Sequence, residues 1–127
     1  MKIIPKNDSA IIGVLKSFGY AFEGIRYSIK TQRNAFIHLI ATIFILVIAA
    51  LLEISAEDWR WIIICITLVW VSELINTAFE YLCDLVMPEV HISVKRAKDI
   101  AAGAVLICAV SAVLIGVVTL IPYINKF

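Results

Sequence analysis

Three carboxylates and one amide recur along a single apolar segment at spacings that place them on one face of a helix. We take Glu73 as the origin and allow about 100° per residue. Asn76 then falls at about 300°, Glu80 at about 340° and Asp84 at about 20°, an arc of about 80° that we call the polar stripe. An ionisable group inside a bilayer costs roughly 3 kcal/mol, so a stripe of this kind predicts a functional site.

The residues around the stripe suggest what it binds. Glu80 and Asp84 are one helical turn apart and repel each other unless a metal ion or a basic side chain lies between them. The predicted loop PEVHISVKRAKD follows, and its basic residues suit phosphate while its carboxylates suit a metal. The sequence has neither a P-loop nor a GxGxxG motif, so a nucleotide site here would be of an unusual kind. The alternative is that these groups are buried, pair with Lys95, Arg96 or Lys98, and do no chemistry.

The segment that carries the stripe is one of three that are long and apolar enough to cross a bilayer. The chain of 127 residues is 62% hydrophobic and 17% charged, whereas soluble domains are about 25% charged. We predict a single domain over residues 1–127, with membrane spans at 35–52, 59–86 and 100–121, the last ended by Pro122. Counted from Trp59, Glu73 lies roughly 21 Å into its span and Glu80 roughly 31 Å, near the opposite edge of the hydrocarbon core.

The N-terminal part of the chain has a different pattern. Apolar residues recur every three or four positions, at Ile11, Leu15, Phe18, Phe22, Ile25 and Ile29. This spacing predicts an amphipathic helix over residues 10–30 that lies in the membrane interface, with a helix docked only on protein as the alternative. The predicted fold class is therefore all-α: an integral membrane protein with an N-terminal interfacial amphipathic helix plus three transmembrane helices.

The distribution of basic residues predicts the orientation. Most of the eleven Lys and Arg lie before the first span or between the second and third spans. Both regions are therefore expected in the cytoplasm, with the N-terminus cytoplasmic and the C-terminus extracytoplasmic. The net charge of +1, without a clustered basic face, argues against nucleic acid as a partner.

The segment SELINTAFEYLCDLVMPEVHISVKRAKDIAAGAVL closely resembles the signature of the small prokaryotic diacylglycerol kinase and undecaprenol kinase family. Its most specific parts are the E-L-x-N-T-A-x-E run that ends at Glu80 and the A-K-D run that ends at Asp99. The resemblance implies a homotrimeric kinase of the bacterial cytoplasmic membrane, with sites shared between subunits. Such an enzyme transfers the γ-phosphate of ATP, its co-substrate, to the primary hydroxyl of a membrane lipid, with Mg²⁺ as cofactor.

The same resemblance implies a role for individual residues. Glu73 matches the general base, and Glu80 and Gln32 match the metal ligands. The ATP-binding positions are Tyr20, Asn76, Glu89, His91, Lys98 and Asp99. Two positions depart from the family pattern: Gln32 stands where the family usually has Glu, and Gly13 where some members have Arg. An amide oxygen can coordinate Mg²⁺ but contributes no charge.

The identity of the lipid is the open question. The run PEVHISVKRAKDIAAGAVL resembles the undecaprenol kinase branch more than the diacylglycerol kinase branch, so undecaprenol is the favoured substrate. The residues alone also admit a non-enzymatic membrane protein whose polar stripe binds protons or cations, and ATP turnover separates the two. His38, one turn into the first span, is expected to be an interfacial or packing histidine rather than a ligand.

Overall fold

The computed structural model describes residues 10–126, and within them it consists of four α-helices without strands. The helices are α1 (Ala10–Thr31), α2 (Arg33–Leu51), α3 (Ala56–Val86) and α4 (Ile92–Ile124). The last three are long and apolar enough to cross a membrane. The predicted all-α membrane fold is confirmed.

Short breaks with identifiable causes separate the helices. Gln32 adopts an extended conformation between α1 and α2. The Ser55 hydroxyl caps α3 by accepting a hydrogen bond of 3.2 Å from the backbone N–H of Asp58. Met87 leaves the helical conformation because it precedes a proline. His91 then caps α4, since its Nδ1 accepts a hydrogen bond of 3.1 Å from the N–H of Ser93.

The fourth helix is longer than the predicted span of 100–121. It begins at Ile92, so Lys95, Lys98 and Asp99 lie on its first turns rather than in a loop. It also continues past Pro122 to Ile124. The prediction followed apolar composition, which locates the membrane, whereas the helix starts where His91 satisfies its first backbone donors. Pro122 removes one backbone donor close to the end of the helix, which is a mild disruption.

The most extensive packing joins α3 to α4. A small core lies at the end near the α2–α3 loop, formed by Ala49, Ile54, Ile62 and Leu120. At this end the Tyr123 hydroxyl donates a hydrogen bond to Asp58 and accepts one of 3.0 Å from the N–H of Ser55. Most other large apolar side chains of the spans are exposed to the surroundings, as expected in lipid.

The N-terminal helix is attached to α3 by two hydroxyl pairs. Ser28 and Thr77 are both buried, with their hydroxyl oxygens 3.4 Å apart. One turn away the Tyr81 hydroxyl donates to that of Tyr27 at 3.2 Å. The apolar residues of α1 are exposed, including Ile11, Leu15, Phe18 and Phe22, which suits a helix that rests on the membrane interface.

Candidate active site

The centre of the candidate site is a carboxylate buried in the apolar part of α3. Glu73 is only 1% exposed. Asn76 and Thr77, each 6% exposed, lie on the same face one turn further along the helix. The helical period therefore brings Asn76 onto the face of Glu73 as the sequence predicted, with Thr77 beside them, and the packing of neighbouring helices buries all three.

Two oxygens of the site are buried without a hydrogen-bond partner among residues 10–126. The amide Nδ2 of Asn76 donates to Oε1 of Glu80 at 3.2 Å, which leaves Asn76 Oδ1 unpaired. Glu73 Oε2 is the other unpaired oxygen. Buried acceptors without partners are rare in native proteins and call for a donor or a cation. The site is therefore built to receive one.

His38 projects from α2 toward the same carboxylate. Its Nε2 lies 3.9 Å from Glu73 Oε2. Trp70 Nε1 donates to Thr42 Oγ1 at 3.0 Å, and that hydroxyl donates to the backbone carbonyl of His38 at 2.7 Å. The imidazole is partly buried, as expected of a packing histidine, and its contact with Glu73 was not part of that expectation. No pattern within one segment marks the contact, because His38 and Glu73 are on different helices.

The cytosolic end of the stripe, by the predicted orientation, is paired with the start of α4. The Lys98 ammonium donates to the Asp84 carboxylate, and so supplies the basic side chain that Glu80 and Asp84 require. Lys95 pairs with Asp99 at 2.6 Å along the same helix, and both side chains are largely exposed. Lys98 thus lies next to the polar stripe, whereas Asp99 faces outward with Lys95.

The other predicted nucleotide contacts lie at the surface of the described chain. Tyr20 is exposed on α1, and Glu89 is exposed in the bend between α3 and α4. His91 has a structural contact as the cap of α4. Gln32 interacts with the Tyr81 side chain. The structure brings Glu73, Asn76 and Glu80 together on one face of α3, with Lys98 near the far end of that face.

The donor set fits a magnesium ion shared with a substrate. Mg²⁺ prefers oxygen ligands and is commonly held by one or two carboxylates plus substrate phosphates. Glu80 carries a carboxylate beside the unpaired Asn76 Oδ1. Gln32, in the break between α1 and α2, carries an amide oxygen. Within residues 10–126 there is no cluster of three His, Cys, Asp or Glu side chains that could enclose a metal without substrate.

These groups are arranged for chemistry at a membrane surface. A buried carboxylate can accept a proton from a hydroxyl that arrives within the bilayer. Oxygen ligands and a lysine nearer the cytosol can position a phosphate and offset its charge. The fold and these groups are those expected of an integral membrane phosphotransferase.

Comparison with known proteins specifies the class. The family model described as prokaryotic diacylglycerol kinase matches residues 19–120, and the chain belongs to this family. It is 40% identical to the diacylglycerol kinase of Synechocystis over 110 residues, 86% of this chain and 63% of that protein's length. It is 38% identical to the undecaprenol kinase of Bacillus subtilis over 107 residues, 84% of this chain and 87% of that protein.

A third relative is less similar in sequence to this chain. The diacylglycerol kinase of Escherichia coli is 30% identical over 108 residues, 85% of this chain and 88% of that protein. Family membership makes the chain an ATP-dependent lipid kinase of a bacterial membrane. It argues against the alternative of a non-enzymatic proton or cation binder.

Proposed function

We propose that the chain transfers the γ-phosphate of ATP to the primary hydroxyl of a membrane lipid, with Glu73 as the general base. The observation that carries this proposal is the burial of Glu73 in an apolar span with Oε2 unpaired among the described residues. A carboxylate at this depth lies where a lipid hydroxyl would approach from within the bilayer, whereas Glu80 and Lys98 are further along toward the predicted cytosolic side. This depth separates a lipid nucleophile from a water-soluble phosphoryl donor.

In the proposed reaction, Glu73 accepts the proton of the lipid hydroxyl as the hydroxyl oxygen forms a bond to the γ-phosphorus. The bond from that phosphorus to the bridging oxygen of ATP breaks, and ADP leaves. Lys98 offsets the negative charge of the phosphates after its ammonium group leaves Asp84 and binds them. The family resemblance assigns Tyr20, Glu89, His91 and Asp99 as further nucleotide contacts.

Glu80 and Gln32 are the residues that would hold the metal, and Asn76 supports the same site as an ATP-binding residue. When bound, Mg²⁺ supplies positive charge to the phosphate oxygens of ATP. Asn76 keeps Glu80 in place through the hydrogen bond from Nδ2. Its free Oδ1 points to a second role as an acceptor in the loaded site.

The choice of lipid is tested by parallel assays of undecaprenol and diacylglycerol in mixed micelles with labelled ATP. We favour undecaprenol, because the PEVHISVKRAKDIAAGAVL run resembles that branch of the family. The expected result is faster transfer to undecaprenol at equal mole fraction. Faster transfer to diacylglycerol reverses the substrate assignment, and absence of transfer to both lipids contradicts the proposed function.

Variants of the two glutamates separate the proton acceptor from the metal site. Glu73→Gln keeps the shape of the side chain but removes the base, so kcat should fall by about 10²-fold or more while Mg-ATP binding is nearly unchanged. Glu80→Ala should weaken Mg-dependent nucleotide binding directly, because it removes a charged oxygen ligand. The measurements are steady-state kinetics and equilibrium binding of a fluorescent ATP analogue with and without Mg²⁺.

Thr67→Val is the matched control for these variants. Thr67 is on the same helix, and its hydroxyl donates only to the Ile63 carbonyl of that helix at 2.8 Å. Activity of this variant should equal that of the wild type. If Glu73→Gln loses Mg-ATP binding as severely as Glu80→Ala while both remain folded, the division of roles is wrong.

The residue that departs from the family pattern provides a test of the metal site. Gln32→Glu adds a charged oxygen ligand for a cation that prefers such ligands. The Mg²⁺ concentration for half-maximal activity should therefore fall in a magnesium titration of variant and wild type. An unchanged midpoint would show that Gln32 is not a ligand. A raised midpoint would indicate that the added carboxylate crowds the charges already present.

We also propose a homotrimer with sites shared between subunits, and an orientation with the N-terminus in the cytoplasm and the C-terminus outside. The orientation follows from the concentration of Lys and Arg before α2 and at the start of α4. A reporter fused after the last residue should be active only as an extracytoplasmic enzyme, such as alkaline phosphatase. Activity of a cytoplasmic reporter at the same position would place the site on the wrong side of the membrane.

A further inference from the structure

The contact between His38 and Glu73 is the part of the site that the proposed reaction leaves unexplained. The two side chains are 17% and 2% exposed, and Nε2 of His38 lies 3.9 Å from Oε2 of Glu73. That oxygen has no hydrogen-bond partner among residues 10–126. A carboxylate oxygen in this environment requires a donor, since lipid provides none, and the imidazole is already beside it.

The surroundings of the imidazole strengthen such an interaction. His38 closes the inner end of an apolar groove of about 440 Å³ between α2, α3 and α4. Apart from His38, the lining is apolar except for the Thr42 hydroxyl and the Cys65 thiol. A hydrogen bond to a carboxylate is electrostatically stronger at low local dielectric than in water.

A second contact fixes the position of the imidazole. Trp70 is one turn before Glu73, and Thr42 is one turn after His38. The hydrogen bond of 3.0 Å from Trp70 to Thr42 therefore joins the two helices one turn away from the His38–Glu73 contact. Ala35 and Ala49, both fully buried on α2, provide small side chains along the same helix. The rotation of α2 that directs His38 at Glu73 is set by these contacts.

We infer that His38 is a positioning residue that donates Nε2–H to Glu73 Oε2 and so directs the other oxygen, Oε1, at the lipid hydroxyl. The inference rests on the proposed role of Glu73 as the base. Closing the 3.9 Å separation to a hydrogen bond of about 2.9 Å requires a shift of about 1 Å. Catalytic hydrogen bonds are often longer without substrate and shorten in the reacting complex.

Two substitutions separate donation from packing. His38→Gln places an amide donor close to the position of Nε2, whereas His38→Leu fills similar space without a donor. We expect His38→Leu to lower kcat by about 10²-fold, the scale of a misoriented reacting group, with KM for Mg-ATP unchanged. His38→Gln should restore most of that loss. A Leu variant with wild-type kcat, or a Gln variant as impaired as the Leu variant, would overturn the inference.

A spectroscopic measurement tests the pair independently of activity and of substitution at His38. The chain has two histidines, and ¹⁵N labelling of both in micelles makes His91, the cap of α4, an internal reference. The His38 Nε2 resonance should be that of a protonated nitrogen and should shift in Glu73→Gln, whereas the His91 resonances should not move. An unprotonated Nε2, or no shift, excludes the hydrogen bond. Absence of lipid phosphorylation by the wild type would instead refute the proposed function, and this resonance would still report on the pair.

Discussion

A carboxylate inside an apolar membrane helix must be satisfied by the protein, and this constraint organises the structure. Glu73 is buried in α3, where an unpaired ionisable group costs roughly 3 kcal/mol. Helices α1 and α2 each supply a polar group close to Glu73 or to the next turn of α3. His38 comes from α2, while Ser28 on α1 approaches Thr77. The bundle therefore encloses one buried carboxylate, which we propose to be the general base.

The contacts that hold α4 and α1 against α3 differ in extent. The α3–α4 interface has the most extensive packing. The Lys98–Asp84 pair lies at one end of it, and the hydrogen bond from Tyr123 to Asp58 lies at the other. Helix α1 is held to α3 by hydroxyl pairs, and hydrogen bonds between membrane helices stabilise their association by about 0.6 kcal/mol each on average. Because α1 also leaves its apolar face uncovered by the chain, the membrane surface must contribute to its placement. Helix α4 is thus held more strongly against α3 than is α1, which lies at the membrane interface.

The sequence was sufficient for the features that depend on composition and helical period. It predicted the membrane spans, the amphipathic helix and the shared face of Glu73, Asn76 and Glu80, because each is a property of one segment. It could not predict the contact between His38 and Glu73 or the bond from Trp70 to Thr42. Those depend on how α2 rotates and crosses α3, which is decided by side-chain packing over the full length of both helices. The early start of α4 was missed for a related reason, since hydropathy locates the membrane rather than the helix.

Under the proposed function, the site recognises the reacting group of the lipid more closely than its hydrocarbon chain. In that proposal, the lipid hydroxyl meets the phosphate beside the groups that form directional hydrogen bonds, which are a carboxylate, an amide and an imidazole. The surfaces nearer the middle of the bilayer are apolar, as in the groove that begins at His38, and apolar contacts discriminate poorly between hydrocarbons because they are non-directional. Relatives named for diacylglycerol and for undecaprenol are about equally similar to this chain. That division is what a site should give when its hydrogen-bonding groups recognise a primary hydroxyl and leave chain selection to shape alone.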